Sequence, residues 1–212
     1  MLIICNGIFK SGSTWLHAIV LEILKIKNID IEEVDSRYTN NINSPTPIIE
    51  SKFAEFLKNE DYEKYTYVNK SHFYRLSTFE IEFSESIIFL FSVRDIKDSI
   101  VSHYFHLREK YNFINNFNIY YWTLGRLKAY EIVLFNKLYR KYFNENRFIL
   151  YSNLKEDFDS TVQQIARSIG VADLSIEEIN YIRENTSLQK MREGILKGES
   201  NYYSTVNNGR EK

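Results

Sequence analysis

The segment Lys10-Ser11-Gly12-Ser13-Thr14-Trp15 places a cation, a glycine and three hydroxyls between an apolar run and an amphipathic one. The apolar run, 2–5, reads as a buried strand. After the loop, Leu16, Ile19, Val20, Ile23 and Leu24 recur at helical spacing. A small-residue loop between strand and helix start aims several backbone N–H groups at one point, and the helix dipole adds roughly half a positive charge there. Such a loop holds an anion, and Lys10 contributes a full charge. Further along, Lys70 and His72 end a β-prone run, Arg94 ends a second and Tyr151 a third. Three cations and a histidine, if gathered, would hold a multiply charged anion and move one proton. Histidine suits the second task because its unperturbed pKa, about 6.5, lies close to neutral pH.

Those residues meet only if the runs that carry them lie side by side. Residues 65–68, 86–93 and 147–151 read as strands, the second most strongly, since Ile87-Ile88-Phe89-Leu90-Phe91 is apolar throughout. Between them come a helix capped by Asp95 and running to 109, a long helical region over 118–143 interrupted near Gly125, and helices over 160–169 and 176–184. Residues 29–34 are expected to form a short strand, 52–57 a helix, and 39–47, with both prolines, a loop. Strands alternating with helices predict an α/β, three-layer fold with a central, mostly parallel sheet flanked by helices, and the small-residue loop after the first strand resembles that of P-loop-like folds. Ligands in such sheets bind beyond the carboxyl ends of the strands, where all four polar run-ends then collect.

Composition narrows the function further. A chain of 212 residues fits one domain with a substantial core, and residues 1–193 are assigned to it, 194–212 being a polar tail. The net charge of −1 provides no global field for nucleic acid or anionic lipid, so neither a nucleic acid nor a membrane is an expected partner. The single cysteine, Cys5, excludes an internal disulfide and reads as a core residue. Neither a basic leader nor an apolar run of about 20 residues is visible, so the expected compartment is the cytoplasm. No cluster of metal-ligand spacing occurs, and no metal is expected.

Gly7 and Gly12-Ser13-Thr14 reproduce the glycine spacing of a nucleoside triphosphate loop, but Ser13 stands where that loop has its lysine, and the cation is upstream at Lys10. This suggests a phosphorylated nucleotide whose reacting group is not a γ-phosphate. In order along the chain, Lys10 to Trp15, Lys70-Ser71-His72, Val93 to Tyr104, Leu150 to Asp157 and Thr186 to Met191 resemble the five motifs of the cytosolic-type sulfotransferases that use 3′-phosphoadenosine 5′-phosphosulfate (PAPS). The resemblance implies in-line transfer of a sulfuryl group to a hydroxyl or amine of a small-molecule acceptor, leaving adenosine 3′,5′-bisphosphate. It implies His72 as general base, Lys10 on the leaving oxygen and Lys70 on the sulfuryl oxygens. It further implies Ser11, Gly12, Ser13 and Thr14 around the 5′-phosphate, Arg94 and Ser102 at the 3′-phosphate, and Trp15, Tyr151 and Thr186 around adenine.

The chain departs from that family at Phe9, where a proline is usual, at Leu188, where an adenine-contacting phenylalanine is usual, and in lacking the closing R-K-G-x-x-G-D-W. The tail 194–212 accordingly reads as a shortened or disordered cofactor lid. Two other readings stand beside sulfotransfer: a P-loop nucleotide kinase or NTPase, and a non-catalytic adenosine-bisphosphate-binding protein. Phe73, Tyr74, Phe105, Phe113, Phe117, Tyr120 and Tyr121 could line an aromatic acceptor pocket, but in a chain this rich in aromatics they are expected to be partly core. Phenol, alcohol, sugar and amine acceptors all stay open, as does the oligomeric state.

Overall fold

The first strand, β1 (Leu2–Gly7), is buried along its whole length because both its faces are covered. Leu2 and Ile4 join one apolar cluster, and Ile3 and Cys5 join another on the opposite side. This is the pattern of a central strand in a parallel sheet with helices on both sides. In the computed structural model, which describes residues 1–41, 44–74, 85–111, 115–187 and 189–191, β1 lies between β4 (Tyr67–Ser71) and β5 (Ile87–Val93), and β6 (Phe148–Leu150) flanks β5. Every pairing is parallel. The tail 194–212 and Leu188 lie outside the described residues.

Helices α1 (Ser13–Ile26), α7 (Phe158–Ser168) and α8 (Ile176–Asn185) pack on one face, with α6 (Tyr151–Glu156) supplying Leu154. The other face is covered by α2 (Phe53–Asn59), α3 (Ile96–Tyr111), the single turn α4 (Phe117–Tyr120) and α5 (Arg126–Tyr142). Local capping sets several boundaries. Asp95 accepts the backbone N–H groups of Lys97 and Asp98, and Ser175 forms a reciprocal capping box with Glu178. The expected interruption near Gly125 is a π-turn, Tyr121–Gly125, between α4 and α5.

Two expectations are corrected. Residues 39–47 are not a plain loop, because β2 (Thr39–Asn41) and β3 (Ser44–Ile48) pair antiparallel. The prolines are compatible with that hairpin because it is two-stranded, with an outer edge on each strand where no N–H is needed. The backbone N–H of Ile48 donates instead to the Asn69 side chain of β4, 3.0 Å away. Residues 29–34 form no strand. Of these residues only Glu32 bridges, to Tyr67.

Candidate functional site

The loop after β1 is shaped by two left-handed residues, Lys10 at φ 58° and Gly12 at φ 101°. Lysine in that region is uncommon and strained, which marks the loop as held by its surroundings. Gly12 has a second constraint: a Cβ there would lie 2.6 Å from the Tyr151 ring. Ser11 turns away from the loop opening. Its Oγ is 2.7 Å from Ser92 Oγ of β5, so it ties the loop to the sheet. A Cβ on Gly7 would fall 2.2 Å from the same Ser92 Oγ, so the glycine makes room for that bond.

Sheet register places the second cation. Lys70 is level with Cys5 of β1 and therefore points to the α1 side, where its Nζ lies 3.4 Å from Thr14 Oγ1. Burial, and then the charge of Lys10, lowers the Lys70 pKa to about 8. Lys10 is itself lowered, first by burial and then by Arg94, against an opposing pull from Glu109.

His72 follows β4 and reaches back to β1, with its Nδ1 2.5 Å from the Gly7 carbonyl oxygen. A carbonyl only accepts, so Nδ1 carries the proton, and in the neutral ring Nε2 holds the lone pair. Burial holds the His72 pKa below its ordinary value and Lys70 adds to this, while the Gly7 bond pulls the other way. The neighbouring backbone is fixed too. Asn6 accepts from the Phe73 N–H at 2.9 Å and donates to its carbonyl at 3.4 Å, and the Tyr139 hydroxyl donates to that carbonyl at 2.6 Å.

Arg94 leaves β5 towards the loop. Its Nη1 donates to the Lys10 carbonyl at 3.4 Å, and its guanidinium lies 4.5 Å from the Tyr151 ring centroid. Asp98 is only a marginal partner at 3.9 Å, and the buried Arg94 Nε has no hydrogen-bond acceptor among the described residues. Trp15 meets Tyr151 edge-on at 5.6 Å and stacks on Phe158 at 6.3 Å, and its buried Nε1 also lacks an acceptor among the described residues. Two buried N–H groups left without acceptors cost stability unless something binds there, and an anion with oxygen acceptors fits them.

All the catalytic and cofactor-binding residues predicted from sequence except Ser11 and Thr186 line one cavity of about 650 Å³. Ser11 lies beneath its floor. The Thr186 hydroxyl donates to the Ile182 carbonyl of α8 at 2.8 Å and is buried there. Sequence reasoning missed Phe9, His103 and His106, which line the same cavity. The signal for the histidines was helical spacing: Ser102 and His106 are four apart on α3, with His103 beside them. The Tyr120 hydroxyl donates to the Ile100 carbonyl at 3.4 Å, so at 2.8 Å it accepts from His103 Nδ1. Burial first, then nearby cations led by Lys128, push the His103 pKa down to about 4, so its ring is neutral. Of the aromatics weighed for an acceptor wall, none of the described ones lines this cavity, and the expectation that they are partly core is met. Phe73 and Tyr120 are core residues, and Phe113 lies outside the described residues.

Three comparisons bear on this geometry. The family model described as "Sulfotransferase domain" matches residues 2–212. A "Flavonol sulfotransferase-like" protein of Flaveria bidentis is 26% identical over 185 residues, which cover 83% of this chain and 59% of that protein. Among solved structures, mouse sulfotransferase SULT7A1 complexed with PAP superposes with a TM-score of 0.62 at 20% identity, over 90% of this chain and 64% of that one. Retinol dehydratase in complex with retinol and PAP gives a TM-score of 0.63 at 17% identity, over 99% of this chain and 71% of that one. The fold is therefore the one these structures share, and the chain spans about three fifths of the curated relative's length.

Proposed function

The chain belongs to the sulfotransferase domain family, and from that premise we propose that it is an enzyme transferring a sulfuryl group from PAPS to a hydroxyl of a small molecule. The observation that carries the reading is the meeting of Lys10, Lys70, Arg94 and His72 around one cavity. PAP in the two neighbouring structures is consistent with it, as are the acceptor-less N–H groups of Arg94 and Trp15.

PAPS, when bound, supplies the activated sulfuryl group. Arg94 and Ser102 would hold the 3′-phosphate, a task suited to the paired donors of a guanidinium. The backbone N–H groups of Gly12 to Thr14, with the Ser13 and Thr14 hydroxyls, would hold the 5′-phosphate, and Ser11 keeps their loop in place. Trp15 and Tyr151 would flank the adenine. Lys70 would bind the sulfuryl oxygens and Lys10 the nucleotide's leaving oxygen, which gives electrostatic stabilisation as charge grows there. His72 Nε2 would accept the proton of the acceptor hydroxyl, since the Gly7 carbonyl has already taken Nδ1–H.

Among the described residues lining the cavity, three are cations and none is a carboxylate. That favours a neutral hydroxyl acceptor over a protonated amine, which would find no counter-charge. The decisive experiment follows labelled sulfate from PAPS into a panel of hydroxyl and amine acceptors, beside a titration with adenosine 3′,5′-bisphosphate in the absence of magnesium. Transfer with magnesium-independent binding is the expected result. Magnesium-dependent ATP binding would point to a kinase or NTPase instead, and bisphosphate binding without transfer to a non-catalytic binder.

A further inference from the structure

Helix α5 is apolar on two sides, and only one of them is covered. Ile132, Phe135 and Tyr139 are buried against the sheet. On the outward side Leu127, Tyr130, Val133 and Leu134 are each at least 46% exposed, and Trp122 of the preceding π-turn is 66% exposed. A soluble helix normally turns a polar face to water, so an exposed apolar stripe of this length marks a contact surface.

The polar residues on the same side are mostly of one sign, the partly exposed acid Glu131 being paired with Lys128. Every exposed position of α5 is apolar, aromatic or basic, and the basic ones are Arg126, Lys137, Arg140 and Lys141. Arg140 is paired with Glu145, and among the described residues Arg126, Lys137 and Lys141 have no ion pair. Tyr130, Val133, Lys137 and Lys141 follow one another at three- and four-residue steps, so apolar and basic residues share one stripe. The apolar residues occupy its first half and most of the cations its second. This local excess of positive charge sits on a chain whose net charge is −1.

We propose that the outward face of α5, with Trp122, docks the protein on an anionic lipid bilayer. Aliphatic and Trp/Tyr side chains interleaved with Lys and Arg are what an interfacial helix presents to headgroups and the upper acyl chains. Charge complementarity selects the anionic surface. A second copy fits poorly, because a two-fold contact on this stripe would set its cations against apolar residues or against each other, in either case without a counter-charge. The face offers a protein partner few neutral polar groups for a hydrogen-bonded rim, the partly exposed Asn136 being the one amide on α5. The same helix reaches the cavity from its inner side, where Lys128 Nζ lies 5.2 Å from the Phe9 ring centroid, so docking would bring the cavity close to the membrane surface. The proposal does not depend on the sulfotransfer reading.

The test is co-sedimentation of the full chain with phosphatidylcholine vesicles, pure or containing about a third phosphatidylserine. Binding to the anionic vesicles should exceed binding to the neutral ones about tenfold and be lost at roughly 0.5 M salt. The double variant Lys137→Glu/Lys141→Glu should bind the anionic vesicles at least about tenfold less, with an unchanged thermal melt. Vesicles should shift the tryptophan emission of the native chain to the blue, and the Trp122→Phe variant should lose that shift. If a variant does not fold, the salt and lipid arms on the native chain still decide. Equal binding to both vesicles, or none, overturns the proposal. So does a dimer, seen by light scattering, that Tyr130→Ser dissociates, because the face would then belong to a second copy.

Discussion

In the proposed reaction His72 would be ready as a base before any acceptor arrives. Burial keeps its ring neutral, and the Gly7 carbonyl chooses which nitrogen holds the lone pair. His72→Ala should therefore lower kcat by roughly 10²–10⁴-fold in a sulfate-transfer assay while bisphosphate affinity changes little. Undiminished transfer would remove His72 from that role. The pH dependence should be bell-shaped. As pH rises, kcat/KM should increase while His72 loses its proton, with a midpoint below the usual histidine value of about 6.5. It should fall again as Lys70 loses its charge near a pKa of about 8. A stopped-rate series from mildly acidic to mildly alkaline pH measures both limbs. The identity of both residues was legible in the sequence because lysine and histidine at a strand end have few packing uses. Asn6 and Tyr139 were not legible, because nothing in an asparagine or a tyrosine announces that it will hold the backbone of a distant Phe73.

At the level of elements, the loop between β1 and α1 depends on one backbone state. Gly12→Ala would force an alanine to φ 101° and set its Cβ against the Tyr151 ring. We expect a loss of about 2 kcal/mol in stability by denaturant titration and a weakened grip on adenosine 3′,5′-bisphosphate by calorimetry. A Gly12→Ala variant as stable and tight-binding as the native protein would show that the loop relaxes freely. Strands β1 and β5 were readable because they are continuous apolar runs, and α8 because Ser175 and Glu178 have capping-box spacing. The β2–β3 hairpin was not, because its sequence is polar and proline-bearing. Its pairing answers to β4, whose Asn69 side chain accepts the Ile48 N–H. The helical region at 118–143 and its interruption near Gly125 were visible, but that the interruption is a π-turn was not.

For the whole molecule, the covered interior makes a prediction about acid. His17 on α1 is 4% exposed, hydrogen-bonds to the Val68 backbone and has a buried Nε2 with no partner among the described residues. Burial first, then Lys70, pushes its pKa down to about 3. The unfolded chain would protonate this residue near pH 6.5, so between about 6.5 and 3 the unfolded state binds the extra proton. Its contribution to stability is full above that window and is lost as pH falls through it, at up to about 1.4 kcal/mol per pH unit. His17→Gln should flatten the fall of Tm with acid over that range, and an unchanged slope would mean that the ring escapes to solvent. Distribution also matters more than totals at this scale. The net charge of −1 suggested no attraction to anionic surfaces, yet the cations of α5 share one exposed face.

By itself the sequence determined the local chemistry: a small-residue loop with the pattern of an anion site, a set of cations, one histidine of a type suited to proton transfer, and strands and helices alternating as a parallel sheet requires. These follow from residue type and short-range spacing, which act over a few neighbours along the chain. Only the tertiary structure decided that Lys10, Lys70, His72 and Arg94 share a cavity, that Ser11 faces the sheet and Thr186 its own helix, and that His103 and His106 join the wall. Hydrogen bonds and charge interactions act over a few ångströms. Whether residues as far apart in the chain as Lys10 and Arg94, or Trp15 and Tyr151, interact therefore depends on strand order and register, which many distant contacts set together.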